Sequence, residues 1–282
     1  MNTDVQAVCN KLVYNGALRC GSPGVASSRF VVPAPDAAPS CDGPVDWLQH
    51  MLDPEHTVVL ANTDTITASS VPLESRGGGG RKRGRGEAEQ GGDIVVAGAT
   101  PLPVSQPPAR RRGICNETEA VLVATVVRTL VMCGCAASDI GVIAPYRAQL
   151  QLIRQLLSRE CAGVDVETVD RFQGRDKRCV IVSLVRSNNI AEVCSLQTRR
   201  GGGGGGGHVK RVALRTGLTL HHCAQIGPLL HDVRRVNVAF SRAKSKLVVF
   251  GSRSTLEHSA SFASLFALGS EKGWVRCGWL CA

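Results

Sequence analysis

Arg235 and Arg242 stand seven residues apart within Asp232 to Lys244, and two guanidinium groups at that spacing can meet a run of phosphates. Wound as a helix from Asp232, the stretch puts Val233, Val236 and Phe240 on one face and both arginines opposite, about 10 Å apart along the axis. Small Val238 and Ala239 lie beside them, which would let a phosphate chain approach closely. A solvated basic helix face has the same pattern, and periodicity leaves both readings open. A second cluster, Gln173-Gly174-Arg175-Asp176, follows Thr168 and Val169 in what reads as a strand-to-helix turn, where glycine is common in any case. A third, Pro145-Tyr146-Arg147 with Gln149, follows a short apolar strand, the end at which α/β proteins gather ligands. There too the bland alternative stands: Tyr146 can simply pack and Arg147 can be surface charge.

Taken together, Asp139 to Gln149, Val166 to Asp176 and Arg234 to Lys244 resemble motifs IV, V and VI of superfamily 1 helicases, in the family's order. The branch holding the eukaryotic DNA replication ATP-dependent helicase/nuclease is the more similar one. Leu12 to Gly21, Gly174 to Lys177 and Ser183 to Asn188 resemble it more than they resemble the nonsense-mediated-decay RNA helicases. The resemblance covers residues 1–32, 56–64, 114–190 and 230–256.

This resemblance implies roles residue by residue. Arg242 takes the place of the catalytic arginine that reaches a γ-phosphate and stabilises transition-state charge, worth roughly 10³ to 10⁵ in rate. Gly174 lets backbone approach the nucleotide phosphates and Asp176 faces the nucleotide, with Gln173, Arg235 and Tyr146 in the same nucleotide-binding set. Thr168 and Val169, through a hydroxyl and backbone amides, and Arg147 beside them, would touch the nucleic-acid backbone, positioning a strand without reading its sequence.

The fold implied is α/β, a RecA-like parallel sheet flanked by helices: the second motor domain of a P-loop NTPase, with no P-loop of its own. No Gly-Lys dipeptide occurs anywhere in the chain, and no Walker B Asp-Glu pair. ATP with Mg²⁺ would therefore be shared with a first RecA-like domain. Met1-Asn2 resembles the end of the family's Gln-Tyr-Arg-Met-Asn, whose arginine binds phosphate. Met1 is accordingly expected to be an internal methionine of a truncated chain.

The function expected is that of the C-terminal motor domain of an ATP-dependent 5′–3′ DNA helicase/nuclease of replication and repair, inactive alone and without the nuclease domain. Single-stranded DNA and the upstream RecA-like domain are its expected partners. The family's iron–sulfur cluster belongs to the nuclease region and is not expected in this chain. Two alternatives remain: a noncatalytic single-strand-binding or docking module, or part of an RNA helicase of the same superfamily.

Composition sets the limits. Lys and Arg total 33 against 23 Asp and Glu, a net +10, as suits a partner carrying phosphates. Part of the excess lies in tracts such as Arg81 to Arg85 and Arg110 to Arg112, which say little about a groove. Those tracts can serve as nuclear import signals, and nuclear residence is expected, although basic linkers are as common without that role. The 12 cysteines contain no CxxC pair, so reduced thiols inside a cell are expected, with no metal site. No apolar run reaches the roughly 20 residues of a membrane helix.

Hydrophobic patterning divides the chain. Residues 1–64 form the first part of the domain, and 65–113, with Gly77 to Gly80 and clustered prolines, a low-complexity insertion. Residues 114–190 carry motifs IV and V, 191–229 a second insertion around Gly201 to Gly207, 230–270 motif VI, and 271–282 a tail. Strands are expected at His56 to Asn62, Ile140 to Ala144, Val164 to Thr168, Cys179 to Val185 and Lys246 to Gly251. Helices are expected from Asn116, capped reciprocally with Glu119 and ending at Gly134, then through Leu150 and Leu157, over Asp232 to Lys244, and over Thr255 to Leu268.

Overall fold

The computed structural model describes residues 1–38, 47–64, 114–185, 230 and 232–276; both expected insertions lie outside them. Among the described residues Val58–Asn62 (β1), Ile140–Ile143 (β2), Asp165–Glu167 (β3), Lys177–Ser183 (β4), Ala243–Gly251 (β5) and Val275–Arg276 (β6) form one all-parallel sheet, in the order β3-β2-β4-β5-β1-β6. Strands buried on both faces must be apolar throughout, and β4 and β5 are so over most of their length. Alternate residues feed two cores. Val59, Val142, Ile181 and Val248 face one, whereas Leu60, Ile143, Val180 and Leu247 face the other.

The first core is closed by helices Trp47–Leu52 (α3), Glu117–Met132 (α4) and Arg147–Leu156 (α5). The second is closed by Thr3–Cys9 (α1), Val233–Ser241 (α6) and Ala260–Glu271 (α8). Short helices Pro23–Ala26 (α2) and Arg253–Leu256 (α7) stand in the chain between α1 and α3 and between β5 and α8, and a π-helical turn, Asn10–Tyr14, extends α1. The expected α/β RecA-like fold is what the residues build.

Several local expectations are corrected. The capping of α4 is not reciprocal. Asn116 Oδ1 accepts from the Glu119 amide at 3.0 Å, but the Asn116 amide donates to Gln149 Oε1 at 2.8 Å, and the Glu119 side chain turns inward. Helix α6 stops at Ser241 rather than Lys244, because Ala243 and Lys244 already pair in β5. The closing helix is broken after Leu256, where Ser252 caps α7 and Ser259 starts α8. Within the expected tail, Val275 pairs with Leu60 as an edge strand.

Candidate nucleotide edge and nucleic-acid pocket

Helix α6 runs back across the sheet, so Arg235 in its first turn and Arg242 at its C-cap arrive at opposite edges. At the amino-terminal edge, register decides the geometry. Lys177 of β4 pairs with Ala243 of β5, which brings the residues before them, Asp176 and Arg242, side by side. Arg242 Nη1 meets Asp176 Oδ1 at 2.9 Å, Nε donates to the Val238 carbonyl at 3.2 Å, and Nη2 donates to Ser241 Oγ at 3.2 Å. Gly174 stands in the loop leading to this pair with φ +81°, and a Cβ there would meet nothing within 4 Å. A ligand can therefore approach its backbone freely, and only glycine holds that conformation without strain. Gln173, exposed, ends the turn Asp170–Phe172 just before it.

That turn is anchored by Phe172, fully buried against Gly141 of β2. A Cβ on Gly141 would lie 2.4 Å from Phe172 Cζ, so the glycine is what lets the ring settle. Asn2 also packs at this edge: its amide donates to the Lys244 carbonyl and its side chain to the Ser245 carbonyl, both at 2.8 Å. The segment that resembles the end of Gln-Tyr-Arg-Met-Asn thus lies on the strand that Arg242 precedes. Burial pushes the nearby Cys9 thiol up to about 11, against the pull of the Met1 amine and the Arg242 guanidinium.

At the carboxyl-terminal edge lies a pocket of about 160 Å³ with Arg147, Thr168, Val169 and Arg235 around it and Ile143, Val182 and Leu184 as its apolar wall. Arg147 is exposed at the first turn of α5, one residue after half-buried Tyr146, which packs on the first core. Arg235 is tied down by Asp170, with Nη2 at 2.6 Å from Oδ1 and 2.5 Å from Oδ2, and Nε at 3.2 Å. Asp232 caps the helix, accepting from the amides of Arg234 and Arg235. Ala239 is buried against the sheet instead of lying open beside the arginines.

The structure thus brings Arg242, Asp176, Gly174 and Gln173 to one edge. It brings Arg147, Thr168, Val169 and Arg235 to the other, with Tyr146 alongside. Arg235, grouped by resemblance with the nucleotide set, shares its pocket with Thr168 and stands about two helical turns from Arg242. Sequence reasoning missed the Phe172–Gly141 contact and the inward turn of Glu119. A glycine inside an apolar strand was the available signal for the first; for the second, the capping spacing pointed elsewhere.

The AAA domain family (AAA_12) matches residues 1–254. The chain belongs to this family. The chain is similar to the DNA replication ATP-dependent helicase/nuclease DNA2 of Mus musculus, 34% identical over 94% of this chain and 19% of the relative. The Homo sapiens protein of that name is 32% identical over 89% of the chain and 18% of the relative, and the Schizosaccharomyces pombe one 28% over 98% and 15%. This AAA domain chain therefore spans about a fifth, or less, of the length of the curated relatives it matches. The superfamily 1 resemblance drawn from the three motifs agrees with these matches.

Proposed function

We propose that this AAA domain chain is the second RecA-like motor domain of an ATP-dependent 5′–3′ DNA helicase/nuclease working in nuclear DNA replication and repair. The observation that carries the reading is the Arg242–Asp176 pair, set beside the open Gly174 backbone by β4–β5 register. A guanidinium and a bare backbone at one sheet edge suit the phosphates of ATP presented by another domain. Arg242, released from Asp176, would then stabilise charge developing on the γ-phosphate.

Bound Mg²⁺ neutralises phosphate charge in such reactions. In this reading, as the family resemblance implies, Mg²⁺ sits on the first RecA-like domain; among the described residues no group of three or more His, Cys, Asp or Glu stands together. At the far edge, Arg147, Thr168 and Val169 would grip the backbone of single-stranded DNA, and Arg235 would exchange Asp170 for a phosphate. Among the described residues no helix is long and apolar enough to cross a membrane.

The test is ATPase activity with saturating single-stranded DNA, using this chain alone and joined to an upstream domain bearing a P-loop. Turnover is expected only in the joined form, and Arg242→Ala should lower it by about 10³-fold. Full turnover by Arg242→Ala would remove the finger. An inert joined form that still binds the strand would make the chain a noncatalytic single-strand-binding module. Tighter binding to RNA than to DNA of equal length would move it to the RNA helicases.

A further inference from the structure

Behind the carboxyl-edge pocket, on the opposite face of the sheet, lies a closed hydrogen-bond network. Glu119, Gln149 and Ser183 are each fully buried, one from α4, one from α5 and one from the end of β4. Glu119 Oε2 accepts from Ser183 Oγ at 2.6 Å and from the Val185 amide at 2.9 Å. Gln149 Nε2 donates to the same Ser183 Oγ at 3.1 Å and to the Asn116 carbonyl at 3.0 Å. Asn116 Nδ2 closes the ring by donating to the Val185 carbonyl at 3.3 Å.

Val185 has φ +71°, a conformation that a β-branched residue adopts only when its surroundings impose it. Here both its amide and its carbonyl are held, the amide by Glu119. Leu184, which walls the pocket, lies between two residues bonded to one carboxylate oxygen. Arg147, at the pocket mouth, lies two residues before Gln149, on the first turn of the same helix.

We propose that Glu119 is a positioning residue for the strand pocket: through Ser183 and Gln149 it holds the Arg147 turn of α5 in register with the end of β4. Glu119 touches no ligand itself. A buried acceptor on α4 that satisfies two donors from the end of β4, one of which in turn accepts from α5, fixes the three segments relative to one another, since breaking any of these bonds leaves a buried group unpaired. The proposal rests on the reading that Arg147 and Thr168 grip single-stranded DNA.

The test is a binding cycle on the full chain, with a fluorescein-labelled oligodeoxythymidine followed by anisotropy. Arg147→Ala should weaken binding about tenfold. Glu119→Leu, near in volume but with no acceptor, and Ser183→Ala should each weaken it about three- to tenfold, while Glu119→Gln, which keeps an acceptor oxygen, should stay within about twofold. Because the effect passes through Arg147, Glu119→Leu with Arg147→Ala should bind no more weakly than Arg147→Ala alone. Losses that multiply in the double variant, or wild-type affinity in Glu119→Leu while Arg147→Ala is weak, overturn the positioning role. Wild-type affinity in Arg147→Ala instead removes the strand site, and the positioning role with it. Should Glu119→Leu fail to fold, the cycle of Ser183→Ala with Arg147→Ala has the same outcomes.

Discussion

Asp176 and Arg242 meet because the strands they precede run side by side: Lys177 donates its amide to the Arg242 carbonyl at 3.0 Å, and the two side chains close at 2.9 Å. With 22% of the Arg242 side chain and 48% of the Asp176 side chain exposed, water screens the pair, whose worth to stability is about 1 kcal/mol or less. Asp176→Asn is expected to move the thermal unfolding midpoint by no more than about 4 °C. Circular dichroism melting checks this, and a much larger shift would make the pair a structural clamp.

Gly141 has no room for a side chain under Phe172. Gly141→Ala is expected to cost about 1–3 kcal/mol through overpacking and to lift the turn that separates Thr168 from Gly174. Urea denaturation measures the cost. Phe172→Leu placed on top should recover part of it, and a further full loss would show that the two residues do not press on each other.

Burial pushes the Glu119 carboxyl from its ordinary 4.5 up to about 7, only partly offset by the Ser183 hydroxyl and the Val185 amide. The folded chain therefore holds this proton more tightly than the unfolded chain. The stability the group contributes is complete below about pH 4.5 and is lost as pH rises through about 7, on the order of 3 kcal/mol in all. Glu119→Gln should lack that component. Comparing urea midpoints at pH 5 and pH 8 decides it, since equal falls in both proteins would mean that another group is responsible.

Lys246 poses the opposite case. The residue is 1% exposed, and its ammonium donates to the carbonyls of Asp53 at 2.7 Å and His56 at 2.8 Å and is pushed by burial from 10.5 down to about 8. Here the unfolded chain binds the proton more tightly, so the stability this group contributes rises with pH between about 8 and 10.5. Measured against Lys246→Met, the wild type is expected to gain up to about 3 kcal/mol across that window, the buried thiols contributing alike to both proteins. Unfolding measured at pH 7.5 and pH 10.5 distinguishes them; matching gains would clear Lys246.

Local pattern was enough for the α/β architecture, because each strand and helix announces itself within a few residues. The apolar run Cys179 to Val182 requires burial on both faces. Asn116 caps a helix that ends at Met132, just before Gly134 with φ +85°, and Val236 and Phe240 mark the buried side of α6. Motif order and spacing were equally legible. What no local pattern contains is register between strands distant in sequence, and register alone sets Asp176 against Arg242 while sending Arg235 to the far edge with Asp170. The same holds for charge. Glu119 and Lys246 read in sequence as a cap and a strand start, and only tertiary packing, by removing water from both, made one a buried tie beside the pocket and the other a buried donor beneath the sheet.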